Sequence, residues 1–535
     1  MVLVVATTGE GDPTDNAITF NRYITSKATP ADAFKGVKYA VFGLGDLNYI
    51  NFNQMGKRTE TNMDRLGAVK VYPRGVGDSS QDIEGDLRKW IDGGLVEAIK
   101  QNSTNTRIPS EKCIVDAPSV DKGEKGTLSK IFLSLSEAMI VGNGELRQET
   151  SDYLSTREIF IRLKDAEAKQ YSGCDTLEIL PRNSDEIVSY TAMFLEVDTD
   201  LDAHIDSSCL FPTPCTYRTA LTQYIDLSCC PSRQFLVDLA GTLGQKNPFI
   251  ERALILLSEN PILLKDMESN YFISFPLLME ILQHHFGDDI RINMSDFFQI
   301  APKQKIRSYT GAGIDPNRLR IVSSLTYSKR ANINCFIDEL LLASILPRSK
   351  IPFASKLKSS SLNEFKGLCG SFLARLDLNE KILLRIRPSS LRFKSSDKPP
   401  RRFLAICTGA GIAPFLAYID WFESLNKWPD STILVFGCRN PESDFIYKNR
   451  ICQLSTNGKI QAKIAFSREE RKYVQDIVSE DLDVRDILTR SDSDRKIIVC
   501  GKTCMAQSVC KVIAAHVEDL EDLQRSGIFS VEHFG

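Results

Sequence analysis

The sequence predicts a protein of several domains: a parallel α/β sheet first, antiparallel β structure with a helical insert in the middle, and a second parallel α/β sheet last. Apolar strands and amphipathic helices alternate at both ends of the chain, which is typical of parallel sheets covered by helices. The centre instead holds short strands with turn residues, interrupted by a run of helices. At 535 residues, the chain is also too long for a single core.

The composition excludes several classes of function. The formal net charge of -3 gives no basic field, so a nucleic-acid partner is not expected. The 14 cysteines and five histidines form neither zinc-type pairs nor a hydrolase constellation, so no metal site is predicted. A signal peptide and an apolar run of about 18 residues are both lacking. We therefore expect a soluble, cytoplasmic chain without a membrane span.

The first predicted domain covers residues 1–100 and alternates strands with helices. Its predicted strands are Val2–Ala6, Tyr39–Gly43 and Val69–Tyr72, and its predicted helices are Thr14–Ser26, Met55–Leu66 and Ile83–Lys100. Polar sequence without periodicity follows over residues 101–127 and is typical of a linker.

The central domain is predicted over residues 128–395. Short antiparallel strands are expected as far as Asn183 and again at Arg318–Thr326, and helices are expected between about residues 210 and 300 because apolar residues recur there at helical spacing. Two segments, PRSKIPFASKLKSSS and PSSLRFKSSDKPPRR, are interpreted as low-complexity breaks.

The last domain is predicted over residues 396–535, with strands at FLAIC, TILVFGC, KIAFS and KIIVC. After the first strand, Gly409 and Gly411 permit a sharp turn into a helix, where backbone amides and the helix N-terminus favour a phosphate group. Many such turns carry two glycines only for packing. In SREERKYVQ, Arg468 and Lys472 have the charge to neutralise a phosphate, although a solvated helix start has the same composition.

The order of these motifs resembles the NADPH domain of the ferredoxin-reductase superfamily, and in particular the NADPH-dependent diflavin reductases. The strings GAGIAPF, FGCR, SREERKYVQ and CG stand in the order that this family shows. The resemblance implies a ferredoxin-reductase-type NADP-binding domain. It implies that NADPH is bound by Thr408, Gly409, Gly411, Cys438, Arg439, Ser467, Arg468, Lys472, Tyr473 and Gln475.

The same resemblance extends to an FAD-binding β-barrel with a helical connecting insert. KIRSYTGAG matches the flavin motif, FKGLCGSFLARL matches the pyrophosphate-binding turn, and FPTPCTYRTALTQYIDLS matches the start of the connecting region. It implies that FAD is bound by Arg307, Tyr309, Thr310, Gly367, Leu368, Cys369, Ser371 and Phe534. Hydride transfer from NADPH to FAD is then assigned to the catalytic residues Thr310, Cys500 and Glu532.

The N-terminal segment resembles part of the flavodoxin-like FMN domain of the family. TTGEGDPTDNA and FGLGDLNYINFNQMGK match two loops that surround the flavin ring. The residues implied in FMN binding are Thr7, Thr8, Gly9, Glu10, Gly11, Gly43, Gly45, Asn48 and Tyr49. Compared with flavodoxins the chain begins at the third strand, so we expect an incomplete sheet without the phosphate loop and with Leu3-Val4-Val5 at an exposed edge. The segment is interpreted as part of an incomplete sequence, or alternatively as a degraded FMN site.

The resemblance implies an enzyme that passes electrons from NADPH through FAD and FMN to a haemoprotein of the cytochrome P-450 type. Two alternatives remain open at this stage. One is a soluble diflavin reductase that supplies cytosolic iron–sulfur cluster assembly, and the other is a flavin-deficient paralogue that acts as a binding scaffold. Membrane anchoring is expected only if the native N-terminus is longer. Departures from the family pattern include Leu416 after APF and the GKTC turn after Cys500.

Overall fold

The computed structural model contains two compact units, one formed by the described residues up to 102 together with 503–507, and the other by the remaining described residues. The structure describes residues 1–8, 11–14, 17–27, 29–47, 51–79, 83–102, 132, 134–148, 154–196, 201–205, 208, 210–287, 290–349, 351–356, 363–393, 397–490 and 494–534. Most of the predicted linker, 101–127, therefore lies outside the described residues. The predicted domain boundaries stay predictions.

The first unit contains a mainly parallel sheet with helices. Its strands are β1 (Val2–Thr8), β2 (Asp12–Pro13), β3 (Lys38–Gly45), β4 (Val69–Lys70) and β5 (Gly75–Asp78), and its helices are Ile18–Thr25, Gln54–Arg65, Ile83–Trp90 and Val96–Asn102. The strand order is β2-β1-β3-β4, and β5 pairs with β3. The pairs β1–β3, β3–β4 and β3–β5 are parallel, which confirms the predicted parallel α/β sheet.

The predicted single helix Ile83–Lys100 is interrupted. Residues Ile91–Leu95 form a π-helical turn in which Gly94 has a φ of 123°. Only glycine adopts such a backbone readily, so the Gly93-Gly94 pair ends one helix and begins another.

The predicted sheet edge at Leu3-Val4-Val5 is exposed on one face only. Val2 and Val4 are 42% and 53% exposed, whereas Val5 is 6% exposed, because successive side chains of a strand point to opposite faces. β1 has two edges, one of which pairs with β3. On the other edge, within the described residues, only Thr7 and Thr8 are paired, with β2.

The second unit begins with the antiparallel region and its helical insert. The strands are β6 (Ser136–Glu145), β7 (Thr156–Arg162), β8 (Thr176–Leu180), β9 (Leu195–Glu196), β10 (His204–Ile205), β11 (Cys215–Thr216), β12 (Ile292–Asn293), β13 (Arg307–Thr310), β14 (Leu319–Ser324), β15 (Tyr327–Lys329), β16 (Glu364–Lys366) and β17 (Lys381–Arg387). Six of them form one antiparallel sheet in the order β13-β8-β17-β6-β7-β14, as the predicted fold class requires.

Helices between residues 217 and 300 supply the predicted insert and pack around a large apolar core. Helices of this region are Asp165–Ala168, Asp185–Ala192, Tyr217–Gln223, Arg233–Gly244, Pro248–Ser258, Pro261–Ser269, Phe275–Phe286, Met294–Ile300, Ile333–Leu342 and Leu368–Ala374. Asn247 and Asn260 cap two of them, accepting hydrogen bonds from Phe249 N at 3.0 Å and Leu263 N at 3.1 Å. A proline follows each cap at the first helical position, where its missing N–H costs nothing.

The C-terminal part of the second unit is a parallel sheet covered by helices. Its strands are β18 (Arg402–Thr408), β19 (Ser431–Cys438), β20 (Gln461–Phe466), β21 (Arg495–Lys502) and β22 (Phe529–Phe534), with a 3₁₀ turn at Gly409–Ile412 and helices Ala413–Leu425, Lys448–Thr456, Val474–Glu480, Leu482–Thr489, Thr503–Ala514 and Leu520–Arg525. All four pairs in the order β20-β19-β18-β21-β22 are parallel. The predicted doubly wound sheet is confirmed.

No helix in the described part of the chain is long and apolar enough to cross a membrane. The cytoplasmic location stays a prediction.

Candidate active site

Three segments that are distant in sequence bring the predicted catalytic residues together. Thr310 is the last residue of β13, and its hydroxyl donates a 2.7 Å hydrogen bond to Glu532 Oε2 on β22. Cys500 on β21 is the cross-strand partner of Glu532. The hydroxyl, thiol and carboxyl groups predicted to act together therefore lie at one site, where the antiparallel sheet meets the C-terminal sheet.

The environment of this site disfavours charge. Burial raises the pKa of the Glu532 carboxyl, while the hydroxyls of Ser389 and Thr310 oppose that shift by donating hydrogen bonds to it. Burial also raises the pKa of the Cys500 thiol well above its usual range, and the nearby Glu532 adds to the effect. Cys500 is therefore a neutral thiol at physiological pH and not a nucleophilic thiolate.

The predicted flavin motif Arg307–Thr310 forms β13, which pairs with β8. The Tyr309 hydroxyl makes hydrogen bonds to Cys369 and Ser323, and burial raises its pKa well above the usual range. Arg307 is more open: its Nη1 donates to Lys305 O at 2.8 Å, and its Nη2 lies 3.9 Å from Asp226 Oδ2. Arg307 thus presents a partly exposed positive charge beside a fixed tyrosine.

The helix Leu368–Ala374 offers an anion site at its N-terminus. It begins after Gly367 without a side-chain cap, so its first amides are available to a bound group. Ser371 Oγ is buried and has no hydrogen-bond partner within the described residues. A Cβ on Gly370 would lie 3.1 Å from Leu325 Cα. The uncapped amides and the orphaned hydroxyl fit the pyrophosphate that the resemblance assigns to this turn.

The turn after β18 is shaped by its two glycines for different reasons. Gly409 has a φ of 53°, a left-handed conformation that glycine adopts without strain. A Cβ on Gly411 would lie 2.2 Å from Cys500 O, so this glycine allows the turn to pack directly on β21. The predicted NADPH turn and the predicted catalytic residue Cys500 are therefore in contact through their backbones.

The predicted 2′-phosphate residues come from two neighbouring strand ends. Ser467 N donates to Cys438 O at 3.0 Å, and Arg468 N donates to Arg439 O at 3.1 Å. These bonds join the FGCR and SREERKYVQ segments side by side, next to Thr408 at the end of β18. Arg468 is exposed and makes no ion pair within the described residues.

Two of the other predicted NADPH residues, Arg439 and Lys472, have protein partners. The backbone N–H of Arg439 donates to Asp444 Oδ1 at 3.1 Å and Oδ2 at 3.0 Å, and its Nε donates to Asp444 Oδ2 at 3.2 Å. Lys472 Nζ lies 3.6 Å from Glu480 Oε2. Tyr473 is 52% exposed and precedes the helix Val474–Glu480, whose first turn contains Gln475. Lys472 must release Glu480 before it can pair with a phosphate.

Phe534, the predicted aromatic cover of the flavin, is the last described residue of β22 and is 40% exposed. Its cross-strand partner is Lys502, two residues after Cys500. The aromatic side chain therefore belongs to the strand that carries Glu532, and its predicted role stays a prediction.

The first unit contains a cavity of about 410 Å³ at the C-terminal ends of β1 and β3. Its lining includes Thr7 and Gly45 of the predicted FMN set, and also Ala6, Leu44, Asp46, Asn51, Phe52, Asn53, Ser79 and Ile83. The carboxyl ends of parallel strands are where α/β sheets bind ligands. The predicted residues Gly9, Glu10, Asn48 and Tyr49 lie outside the described residues.

Asn53 is central to this cavity and was not predicted. It is 1% exposed, has a φ of 58°, and its Nδ2 donates to Gly43 O at 2.6 Å. A Cβ on Gly43 would lie 2.1 Å from Asn53 Oδ1, so Gly43 is required for this contact. Asparagine tolerates left-handed backbone, but the sequence alone does not distinguish Asn53 from Asn51. Thr7 Oγ1 accepts from Met55 N at 3.1 Å, and Thr8 pairs with Asp12, which follows Gly11.

Ser389 was missed for a different reason. It lies in PSSLRFKSSDKPPRR, which the sequence predicts to be a low-complexity break. Its hydroxyl donates to Glu532 Oε1, and Leu391 and Phe393 of the same segment are 0% and 5% exposed. The first half of this segment is therefore packed structure, which corrects the prediction.

Three family models match successive parts of the chain. They are Flavodoxin over residues 1–90, FAD binding domain over residues 137–312, and Oxidoreductase NAD-binding domain over residues 405–511. Together they correspond to the FMN, FAD and NADPH regions described above.

Full-length similarity connects the three regions. The chain is 27% identical to the NADPH--cytochrome P450 reductase of Cavia porcellus over 568 residues, covering 98% of this chain and 77% of the relative. The human protein of that name is 27% identical, with 94% and 74% covered. The Musca domestica protein is 25% identical, with 90% and 71% covered.

Proposed function

Since the chain belongs to the NADPH-dependent diflavin reductases, a family of oxidoreductases that use NADPH, FAD and FMN, we propose that it passes electrons from NADPH through FAD and FMN to a haemoprotein. The observation that carries this proposal is the convergence of Thr310, Cys500 and Glu532 beside the Gly409–Ile412 turn. This convergence supports the proposal, because direct hydride transfer requires the predicted NADPH turn to lie close to the predicted flavin motif.

Within this proposal the chain's residues position the reactants. Ser371 and the amides that follow Gly367 hold the FAD pyrophosphate, with Arg307 supplying positive charge. Arg468 and Lys472 bind the 2′-phosphate, which selects NADPH over NADH. FAD supplies the hydride-accepting chemistry. Glu532 accepts a hydrogen bond from the Thr310 hydroxyl, so the oxygen of that hydroxyl would face bound FAD as a hydrogen-bond acceptor.

The haemoprotein acceptor is supported by the names of the relatives, which refer to cytochrome P450. No similarity described above points to an iron–sulfur acceptor. We therefore place the haemoprotein first.

The test is acceptor choice in a purified system. The chain is loaded with FAD and FMN, and NADPH-dependent reduction is measured with cytochrome c and a cytochrome P450 as haem acceptors and with a ferredoxin as an iron–sulfur acceptor. We expect rapid reduction of the haem proteins. Glu532→Gln is expected to lower the rate of reduction of every acceptor by the same factor. Glu518→Gln makes the same change of charge at an exposed site and is expected to leave all of these rates unchanged. Reduction of the ferredoxin alone would overturn the haemoprotein assignment.

A further inference from the structure

Ser389 completes the hydrogen bonding of the Glu532 carboxyl. Thr310 donates to Oε2 at 2.7 Å, and Ser389 Oγ donates to Oε1. The two oxygens of one carboxyl are thus fixed by hydroxyls from opposite sides of the site, one from β13 and one from the segment that joins β17 to β18. A carboxyl held at both oxygens has lost the rotation that a single hydrogen bond leaves.

The Ser389 hydroxyl is itself held in place. Its oxygen accepts a 2.9 Å hydrogen bond from Leu391 N, and Tyr418 OH donates to Leu391 O at 3.2 Å. The Phe393 ring packs 4.5 Å from the Tyr418 and Trp421 rings, centroid to centroid. The segment is therefore anchored on the helix Ala413–Leu425, which follows the NADPH turn.

Backbone contacts connect the same segment to both neighbouring sheets. The Ser389 backbone N–H lies near the Asp175 carboxyl, next to β8, and opposes the rise that burial causes in its pKa. Ser530 Oγ, on the strand that carries Glu532, donates to Ser390 O at 3.2 Å. Ser389 is thus placed relative to Thr310, through β8 and β13, and relative to Glu532, through β22.

We propose that Ser389 is a positioning residue for hydride transfer, which fixes the Glu532 carboxylate so that Glu532 holds the Thr310 hydroxyl in its reactive orientation. This inference rests on the proposed function, because it assigns to Ser389 a part in the NADPH-to-FAD step. It acts through Glu532 and is not expected to touch either cofactor.

The charged and titratable groups around Glu532 define the expected pH effect. Burial and the negative charge of Asp175 raise the pKa of Glu532, whereas the hydrogen bonds from Ser389 and Thr310 and the positive charge of Arg387 lower it. Cys174 and Cys500 also face the carboxyl, as buried neutral thiols. Since the Ser389 hydroxyl stabilises the ionised form, its removal raises the pKa of Glu532 further, and the carboxyl then protonates at a higher pH.

The experiment measures anaerobic reduction of FAD by NADPH in stopped flow, over a series of pH values, with the flavin-loaded full chain. In Ser389→Ala we expect the acid limb of the rate profile to move to higher pH by about one unit, from the loss of one hydrogen bond to a charged group. We expect the KM for NADPH to change less than twofold, because Ser389 is not among the predicted NADPH-binding residues.

Two further variants separate positioning from general damage. Ser389→Thr keeps the hydroxyl and is expected to restore the wild-type acid limb. Ser390→Ala removes the exposed hydroxyl of the adjacent residue and keeps the Ser390 carbonyl, which accepts the hydrogen bond from Ser530. The pH profile of this variant is therefore expected to match that of the wild-type protein. An acid limb in Ser389→Ala identical to wild type would overturn the proposal, as would an equal shift in Ser389→Thr. Failure of the wild-type protein to oxidise NADPH would instead contradict the proposed function.

Discussion

At the scale of single residues, Arg468 and Lys472 are proposed to decide which nicotinamide cofactor the chain prefers. Arg468 is exposed just after β20, and Lys472 forms an ion pair with Glu480. We expect Arg468→Ala to raise the KM for NADPH about tenfold or more, because a charge-assisted hydrogen bond to phosphate is lost. The KM for NADH stays nearly constant, because NADH has no 2′-phosphate. Lys472→Ala is expected to act in the same direction but less, since Lys472 must first leave Glu480.

Steady-state kinetics with both cofactors tests this expectation. Arg490→Ala is the matched control, because it also removes one exposed arginine. Arg490 pairs with Asp486 at the end of the helix Leu482–Thr489 and is not among the predicted NADPH residues. It is expected to leave both constants unchanged. Equal increases for NADPH and NADH in Arg468→Ala would contradict the 2′-phosphate assignment.

Residues whose chemistry is local could be predicted from the sequence, and those defined by tertiary contacts could not. Thr310, Cys500 and Glu532 were each found from short strings, and the structure brings them together. Ser389 carries no such signal, because serine in a Pro/Ser-rich segment is ordinary linker composition. Its position depends on the burial of Leu391 and Phe393, which come after it in the chain.

At the scale of secondary structure elements, Arg320 joins the flavin-motif loop to the NADPH region. On β14, its Nε and Nη2 donate to Ala312 O at 3.0 and 2.7 Å, and Nη2 also donates to Asp420 Oδ2 at 2.8 Å on the helix Ala413–Leu425. Glu158 Oε1 on β7 lies 3.5 Å from Nη1 and accepts from Tyr447 OH at 2.9 Å. One buried guanidinium, 7% exposed, thus connects four segments.

We expect Arg320→Ala to lower the free energy of unfolding of the second unit by about 3 kcal/mol, because it removes the buried cation of Glu158 and one of the two cations that pair with Asp420, the other being Arg450. Urea unfolding followed by tryptophan fluorescence measures this, since Trp421 and Trp428 belong to the affected part of the chain. Arg318→Ala is the control two residues away. Arg318 is exposed and stacks on Phe160 at 4.6 Å, so the expected loss is about 1 kcal/mol or less. Equal losses would show that the network adds nothing specific.

The type of an element could be predicted where the periodicity of the sequence is strong. The prediction failed where a local backbone feature interrupts the element. Four of the five parallel strands of the C-terminal sheet were predicted from their apolar runs, whereas the edge strand β22 was not. The division of the helix after Ile83 depends on the φ of Gly94, which no apolar pattern reveals. The pairing of β9 with β12, about 100 residues later in the chain, likewise depends on the helical insert that brings them together.

At the scale of the whole molecule, the two predicted flavin sites belong to different units and should be separable. The described residues that line the predicted FMN cavity belong to the first unit, and the predicted FAD residues all belong to the second. Because each site depends on a close backbone approach at a glycine, one substitution in each unit can block one flavin without altering the other. The sequence of electron transfers then becomes a property that can be tested.

Gly45→Val and Gly370→Val are the variants for this test. A Cβ on Gly45 would lie 2.9 Å from Asn53 N and 3.0 Å from the Phe52 ring, so valine is expected to close the FMN cavity. A Cβ on Gly370 would lie 3.1 Å from Leu325 Cα and 3.2 Å from Ser324 O, so valine is expected to displace the uncapped helix start. Acid-released flavin, separated chromatographically, should show loss of FMN in the first variant and loss of FAD in the second.

The kinetic consequences of these two losses should differ because electrons enter at FAD. In Gly45→Val, NADPH is still expected to reduce FAD, and the protein is still expected to reduce ferricyanide. Reduction of cytochrome c is expected to be lost. Gly370→Val is expected to lose all three, since NADPH then has no flavin to reduce. Gly241→Ala, at a helical glycine where an added Cβ meets nothing within 4 Å, controls for substitution of a glycine as such. Unimpaired cytochrome c reduction by a Gly45→Val protein that holds FAD and no FMN would show that electrons reach haem directly from FAD, and the proposed relay through FMN would have to be abandoned.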